Sequence, residues 1–367
     1  MIRVLQVLPR LRRGGSQAFV MNLYRCIDRT KIQFDFIIFT KDHDDYYDEI
    51  INMGGKIYHF EKFNGLNYFS IMKKWKVFLK EHKEYKIIHF HVYSTASLYI
   101  SLAKKNGLKT IVHSHSTSNG KGIKAHIKNT LQLPIRWKSD YLFACSTDAG
   151  RWLFGDKATK KKNYFIVPNG IDLQHFYFDS ERRQQTRAAL SLNDKFVIGH
   201  VGGFETPKNH PFIIDVFNDI SKQYDSAMLL LVGDGTFLDD IKERVKQLGL
   251  NDRVVFAGLH SDVAPLLDAM DVFFFPSLWE GFPVSLVEAQ ASGLNCIVSD
   301  SITLDAKLTN NIFYLSLTND SKTNWINSLF SSKNDERTRF NMDERLLRFD
   351  MKNVCKDLST FYLKLGE

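Results

Sequence analysis

Two glutamates, Glu280 and Glu288, stand eight positions apart in the stretch FPSLWEGFPVSLVEAQASG, and Gly281, Phe282 and Pro283 follow the first of them. Pro283 fits the first turn of a helix running through Leu286-Val287-Glu288-Ala289-Gln290-Ala291. Glu280 then lies in the loop ahead of that helix, and Glu288 lies more than one turn inside it. The first-turn amides of Val284 and Ser285 have no carbonyl four residues back to bond. Exposed amides at a positive helix end hold phosphate, while carboxylates accept hydrogen bonds from hydroxyl groups. A sugar nucleotide carries both kinds of group. Its diphosphate would sit on the helix end, its ribose on Glu288 and its sugar on Glu280. A carboxylate aimed at the diphosphate would repel it, so both acids must point at hydroxyls. Read plainly, the same residues are one acid favouring a helix dipole and one surface glutamate.

Three glycine-bearing turns carry compatible chemistry. LRRGGSQ follows a first apolar run and precedes the helical stretch FVMNLYR, so Gly14 and Gly15 let backbone amides approach a phosphate at a helix start. An ordinary tight turn needs the same residues. The full G-x-G-x-x-G fingerprint is missing, which argues against a nicotinamide dinucleotide. VGGFETPKNH holds the same place in the second half of the chain, with Gly203 in the turn and Lys208 where the next helix begins. That lysine can reach a phosphate as a point charge, or be a solvated helix-start lysine. LLLVGDG ends a third run in a turn at Gly233, at the kind of strand end where open α/β sheets bind ligands.

The elements that must position these residues are strands alternating with helices. VLQVLP, FDFIIFT, KIIHFHV, KTIVHSH, YLFACS and NYFIVPN read as strands in the first half, and FVIGHVGGF, AMLLLVGDG, RVVFAGL, DVFFFPS and NCIVSD in the second. Near-continuous apolar runs fit parallel strands covered on both faces. In IMKKWKVFLK the apolar residues Ile71, Met72, Trp75, Phe78 and Leu79 form a helical stripe. The alternation, repeated twice, predicts two doubly wound Rossmann-like α/β domains. Residues 1–172 form the first, residues 173–345 the second, and 346–367 a last helix that is a candidate to pack back on the first. The segment LQHFYFDSERRQQTR marks the boundary, because strand character is lost there and the chain turns polar.

A chain of 367 residues suits two cores better than one. The first apolar run is broken by Pro9 and followed by Arg10, Arg12 and Arg13, the reverse of a signal peptide, and no apolar run is long enough for a spanning helix. Cys26, Cys145, Cys296 and Cys355 lie far apart and suit reduced, buried thiols in a cytoplasm. The net charge of +8 sits wholly in residues 1–172, and the remainder is net acidic. A basic first half could face an anionic membrane surface or nucleic acid, but no nucleic-acid recognition module is legible. In KGIKAHIKNTLQLPIRWK, Lys121 to Lys138, lysines mix with apolar residues and Trp137. Either this is a basic amphipathic membrane surface, or it is a helix whose apolar face belongs to the core.

The whole pattern resembles the family 4 retaining glycosyltransferases, whose fold of two facing Rossmann-like domains across a cleft is termed GT-B. E-GFPVSLV-E resembles that family's E-x7-E motif. Gly14-Gly15, the PNGID hinge, LVGDG and Lys208 fall in its order across nearly the whole chain. MNLYRCIDRTKIQFDF and YLFACSTDAGRWLFG further resemble the EpsF-like enzymes of bacterial exopolysaccharide and capsule synthesis. The resemblance implies a cytoplasmic, metal-independent enzyme without a cofactor, peripheral at the inner membrane face. Its donor is a UDP-sugar and its acceptor a saccharide or polyprenyl-linked saccharide bound mainly by the first domain. Gly15 would contact the donor phosphate or sugar, and His113 would face the sugar near the acceptor. Lys208 would hold the diphosphate, Glu280 the transferred sugar and Glu288 the ribose. The backbone from Gly281 and Phe282 to Ser285 would hold sugar and phosphate, and Gly258-Leu259-His260 would lie near the base. Closure about the linker would exclude water. One departure stands out: where the family often carries an arginine, this chain has Gly203. Lys208 then acts alone, or Arg12 or Arg13 supplies the second cation, or the enzyme is weak.

Other constellations read as structure. His89, His91, His113 and His115 alternate on two neighbouring strands, and a zinc site is one reading of them, but no acid or cysteine accompanies them. DHDDYYDEI could hold a divalent cation and reads better as a solvated helix start. The rival functions are an idle family member that scaffolds a partner transferase, which Gly203 supports, and a sugar-nucleotide epimerase of similar architecture.

Overall fold

The computed structural model describes residues 1–367 except 13, 119, 121, 319–321, 333–336 and 338–343. The described chain forms two compact units, residues 1–170 with 348–367, and residues 171–347.

In the first unit the apolar runs become β1 (Ile2–Val7), β2 (Ile32–Ile38), β3 (Ile57–His59), β4 (Tyr85–Phe90), β5 (Lys109–Ser114), β6 (Tyr141–Ala144) and β7 (Tyr164–Ile166). They pair in parallel in the order β3-β2-β1-β4-β5-β6-β7. The order reverses between β1 and β4, which is the switch point of a doubly wound sheet. β2 is buried along its whole length, as helices on both faces require.

The helix Met351–Gly366 belongs to this unit. Its Met351, Val354, Cys355, Leu358 and Tyr362 join the core made by Phe19, Tyr24, Phe34 and Phe36. Tyr362 Oη also lies 2.7 Å from Nδ1 of His89 on β4. Burying five such side chains contributes on the order of 10 kcal/mol.

The second unit holds β8 (Phe196–Val201), β9 (Ala227–Val232), β10 (Val254–Gly258), β11 (Val272–Phe275), β12 (Asn295–Ser299) and β13 (Ile312–Leu315), in the order β10-β9-β8-β11-β12-β13, again parallel. Its switch point is between β8 and β11. The polar segment SERRQQTR becomes the helix Ser180–Ala189, and its arginines explain why it reads as polar. Arg182 bonds the buried Asp268, while Arg183 Nη2 meets Asp271 Oδ1 at 2.5 Å and Nη1 the carbonyls of Asp268 and Met270. These bonds staple the helix to Ala264–Ala269.

Both sheets have the architecture the sequence predicts. β3 and β13 escape the reading because they are short edge strands. All four cysteines are free, but Cys26 is exposed, which corrects the expectation that all are buried. It sits near the end of the amphipathic helix Gly15–Cys26, next to Arg25 on the solvent side.

Candidate active site

The loop after β8 and the loop after β11 leave the second sheet side by side, because their strands are neighbours at the switch point. Leu278 N donates to Pro207 O at 2.8 Å, and Asn209 Nδ2 to Pro276 O at 3.2 Å, so each loop is tied to the other. Asn209 adopts the left-handed conformation that turns the chain into the helix His210–Ser221.

Lys208 is the end of a single 3-10 turn, Thr206–Lys208. Its Nζ stands 2.6 Å from Glu280 Oε1 and 4.8 Å over the Phe275 ring. The stem passes so close to Gly202 that a Cβ there would lie 3.0 Å from its Cδ and Cε, and 2.8 Å from His200 Nε2. Gly233, at the end of β9, has φ +144°, and a Cβ on it would lie 2.2 Å from Gly202 O. Those two glycines are therefore required by close approach of backbone and side chain. A Cβ on Gly203 would meet only Asp234 O at 3.3 Å and Glu205 Cγ at 3.8 Å.

The helix following Glu280 is Val284–Ala291. Pro283 is its extended cap rather than its first residue, and it places no side chain on the helix end. No acid occupies the first turn. The amides of Val284 and Ser285 thus face outward without an intrahelical acceptor. Phe282 is nearly buried, and Gly281, Val284, Ser285 and Glu288 are half-buried. Burial pushes the Glu288 carboxyl up to about 7, and the Asp262 charge adds to the effect. No side-chain hydrogen bond reaches that carboxylate among the described residues. Asp262 is itself paired with His175 at 2.8 Å. Gly258, at φ +76°, turns the chain at the end of β10, and Leu259 and His260 beyond it are exposed.

The candidates Gly203, Lys208, Gly233, Gly258, Leu259, His260, Glu280 to Ser285 and Glu288 are thus brought to one edge, the carboxyl ends of β8 to β11 and the helix after them. Gly14 and Gly15 lie in the first unit, after β1 at its own switch point. A Cβ on Gly15 would meet nothing within 4 Å. Of the two cations offered in place of the family arginine, Arg12 is exposed and Arg13 lies outside the described residues.

His113 does not fit the role given to it. It is fully buried, edge-on to Phe19 and Phe143 and stacked on His89 and His115. Both of its ring nitrogens are buried without a well-formed hydrogen bond. A histidine in that setting cannot reach a sugar, which corrects the assignment. His115, two residues on and past the end of β5, is partly exposed. Its Nε2 lies 2.8 Å from His91 Nδ1 and its Nδ1 3.2 Å from Asn169 Oδ1, while His91 Nε2 meets Gln6 Oε1 at 3.0 Å. Burial holds all four of these histidines below the ordinary range, His115 at about 4, so they are neutral at pH 7. His89, His91 and His113 each offer a ring nitrogen within 4.8 Å of the others, the one group of this kind among the described residues. No carboxylate joins it, and both His91 nitrogens are already engaged. Asp42 and Asp44 pair with Arg10, as a solvated helix start would.

A cation, a bare helix end and two glutamates thus meet at the switch point of the second of two doubly wound sheets, the architecture of the GT-B fold. Comparison with known proteins bears on this directly. Residues 13–175 match the model "Glycosyltransferase Family 4", and residues 181–338 match "Glycosyl transferases group 1". The chain is 36% identical over 308 residues to the putative glycosyltransferase EpsF of Bacillus subtilis, covering 82% of this chain and 80% of that one. It is 25% identical over 313 residues to the capsular polysaccharide biosynthesis glycosyltransferase CapH of Staphylococcus aureus, covering 82% and 81%. A crystal structure of Anabaena Alr3699/HepE in complex with UDP superposes with a TM-score of 0.78 at 16% identity, over 98% of this chain and 99% of that one. The chain belongs to the family 4 glycosyltransferases, in the EpsF-like group.

Proposed function

We propose that the protein is a retaining glycosyltransferase that moves a sugar from a UDP-sugar to a saccharide or polyprenyl-linked saccharide in exopolysaccharide or capsule synthesis. The observation that carries this is the convergence of Lys208, the uncapped amides of Val284 and Ser285, and the unpartnered Glu288 at one switch point. Support comes also from relatives. One structural neighbour was solved with UDP and glucose. A relative 29% identical over 242 residues is an Escherichia coli UDP-Gal:alpha-D-GlcNAc-diphosphoundecaprenol alpha-1,3-galactosyltransferase, covering 63% of this chain and 61% of that one.

In this reading the diphosphate lies on the Val284 amide end with Lys208 beside it, the ribose hydroxyls on Glu288, the sugar hydroxyls on Glu280 and the base near Gly258-Leu259-His260. The bond from the anomeric carbon to the diphosphate oxygen breaks. The acceptor oxygen bonds that carbon on the same face, and its proton passes to a diphosphate oxygen. The helix end and Lys208 stabilise the charge that grows on the leaving group, the work a metal ion does elsewhere, so no metal is required. The basic first unit takes the acceptor, at the cytoplasmic face of the membrane; no described helix is long and apolar enough to cross one.

Incubation with a panel of UDP-sugars tests the assignment. Slow release of UDP and free sugar supports it, and NMR of the product made with an added acceptor reads the anomeric configuration. An altered sugar still attached to UDP means an epimerase. A lack of turnover with every donor and acceptor, while UDP still binds, means a scaffold.

A further inference from the structure

Cys26 and Cys355 come from helices far apart in the chain, Gly15–Cys26 and Met351–Gly366, which pack against each other within the first unit. Cys26 ends the first of these helices, and Met351 begins the second. The Cys26 thiol donates to Met351 O, with Sγ 4.0 Å from it. In an α-helix that carbonyl also accepts from the amide four residues on, which here belongs to Cys355. Met351 and Cys355 therefore share a face one turn apart, and both are buried in the core of this unit. Helical side chains lean toward the helix start, so Cys355 leans back over the turn that Cys26 touches. The two thiols interact there directly.

The four cysteines differ in reach. Cys145, Cys296 and Cys355 are buried, and Cys26 is exposed. Burial, and then the hydrogen bond with Cys26, pushes the Cys355 thiol up to about 12, so it keeps its proton at neutral pH. A dissolved oxidant thus meets Cys26 first, with Cys355 beside it as the resolving group. An accessible cysteine next to a resolving one is the arrangement of a reversible thiol switch.

We propose that Cys26 and Cys355 form a reversible disulfide that staples the C-terminal helix to the rest of the first unit. The oxidant is a low-molecular-weight disulfide. The Cys26 sulfur attacks it, its S–S bond breaks, and a mixed disulfide forms as one small thiol leaves. The Cys355 sulfur then attacks the Cys26 sulfur and displaces the second small thiol. Two cysteine thiols are oxidised, one small disulfide is reduced, and the two cysteine protons end on the two released thiols. The second step is intramolecular, and proximity offsets the small thiolate fraction of Cys355. The new bond closes a loop that contains the whole second unit, and long loops restrict the unfolded chain most. None of this depends on which sugar transfer the protein performs.

The test uses the full chain, kept in dithiothreitol or treated with oxidised glutathione. Peptide mapping after thiol blocking should recover Cys26 joined to Cys355, with Cys145 and Cys296 blocked as free thiols. Oxidation should raise the melting temperature by about 5 °C or more. It should also slow hydrogen exchange across residues 351–366 about tenfold or more. Dithiothreitol should reverse both effects. Cys26→Ser should abolish both and, because the position is exposed, should melt like the reduced wild type. Recovery of Cys26 as a stable glutathione adduct or a cross-link between two chains, with Cys355 still a thiol, overturns the proposal. So does an unchanged melting temperature on oxidation, or a Cys26→Ser variant that glutathione still stabilises.

Discussion

Lys208 and Glu280 hold each other, Nζ to Oε1 at 2.6 Å, with side chains only 19% and 14% exposed. The two residues proposed to grip diphosphate and sugar are therefore each other's partners before a donor arrives. On the function proposed above, the donor draws the lysine toward its phosphates, and that movement releases Glu280 for the sugar hydroxyls. Glu280→Gln should accordingly bind free UDP at least as tightly as the wild type and transfer sugar poorly. Lys208→Ala should lower turnover by about 10²-fold or more, as removal of one charge-stabilising donor does elsewhere. Calorimetry with UDP beside steady-state turnover checks both. Equal losses of UDP binding and transfer in Glu280→Gln would mean that Glu280 touches the nucleotide.

Glu288 gives a pH signature. With its carboxyl near 7, raised by burial and then by Asp262, it is mostly protonated at pH 5.5 and ionised at pH 8. A carboxylate accepting from two ribose hydroxyls must be ionised, so UDP affinity should rise across that range. Glu288→Gln should bind more weakly at pH 8 and lose the pH dependence. Its stability should move the other way. The folded carboxyl titrates above its unfolded value, so the native state loses stability as pH rises through about 7. The glutamine variant should then melt at or above the wild-type temperature at pH 8, and gain less at pH 5.

Buried neutral histidines set the acid limit. His89, His91, His113 and His200 lie well below their ordinary range, and His115 and His210 near 4, chiefly through burial. The unfolded chain takes up their protons below about pH 6.5 while the folded chain does not. Stability should fall from that pH downward, well before carboxylate titration. Thermal melts from pH 7.5 to 4.5 should show the decline beginning above pH 6; a flat profile to pH 5 would contradict it.

Gly203 can be tested by restoring the arginine that the family often carries. A Cβ there needs Asp234 O, at 3.3 Å, to give by a few tenths of an ångström, and φ is unrestrictive, so Gly203→Arg should fold. Donor affinity should stay equal or tighten. A large loss in a folded variant would show that the bare backbone at this position has a use of its own.

Gly15→Ala separates conformation from ligand approach. The added methyl meets nothing within 4 Å and sits at a helix start, so the unliganded protein should be unchanged or gain up to about 1 kcal/mol. If a phosphate or sugar approaches that backbone, transfer should nevertheless fall. A variant with full activity would remove Gly15 from the site.

Much of this was legible in the sequence because parallel strands covered on both faces leave long apolar runs. FDFIIFT and DVFFFPS could be little else. β3 and β13 were not legible, since three or four half-buried residues at a sheet edge leave almost no pattern. The E-x7-E stretch revealed its helix and its loop, but not that Pro283 stands outside the helix. The Lys208–Glu280 pair joins residues 72 apart and depends on β8 lying beside β11, which no local pattern encodes. His113 and His115 share one face of a strand by period, and only the point where β5 ends makes the second of them the exposed one.

The helix Met351–Gly366 has a consequence for biogenesis. Sequence order and folding order cannot coincide in this protein, because the first unit borrows a tenth of its residues from beyond the second. The second unit is one continuous segment and needs nothing from beyond its own ends, while Phe34 and His89 await Tyr362. Until residues 351–366 emerge, the first sheet stands with one flank uncovered, which makes the nascent first unit, rather than the finished enzyme, the form most in need of a chaperone.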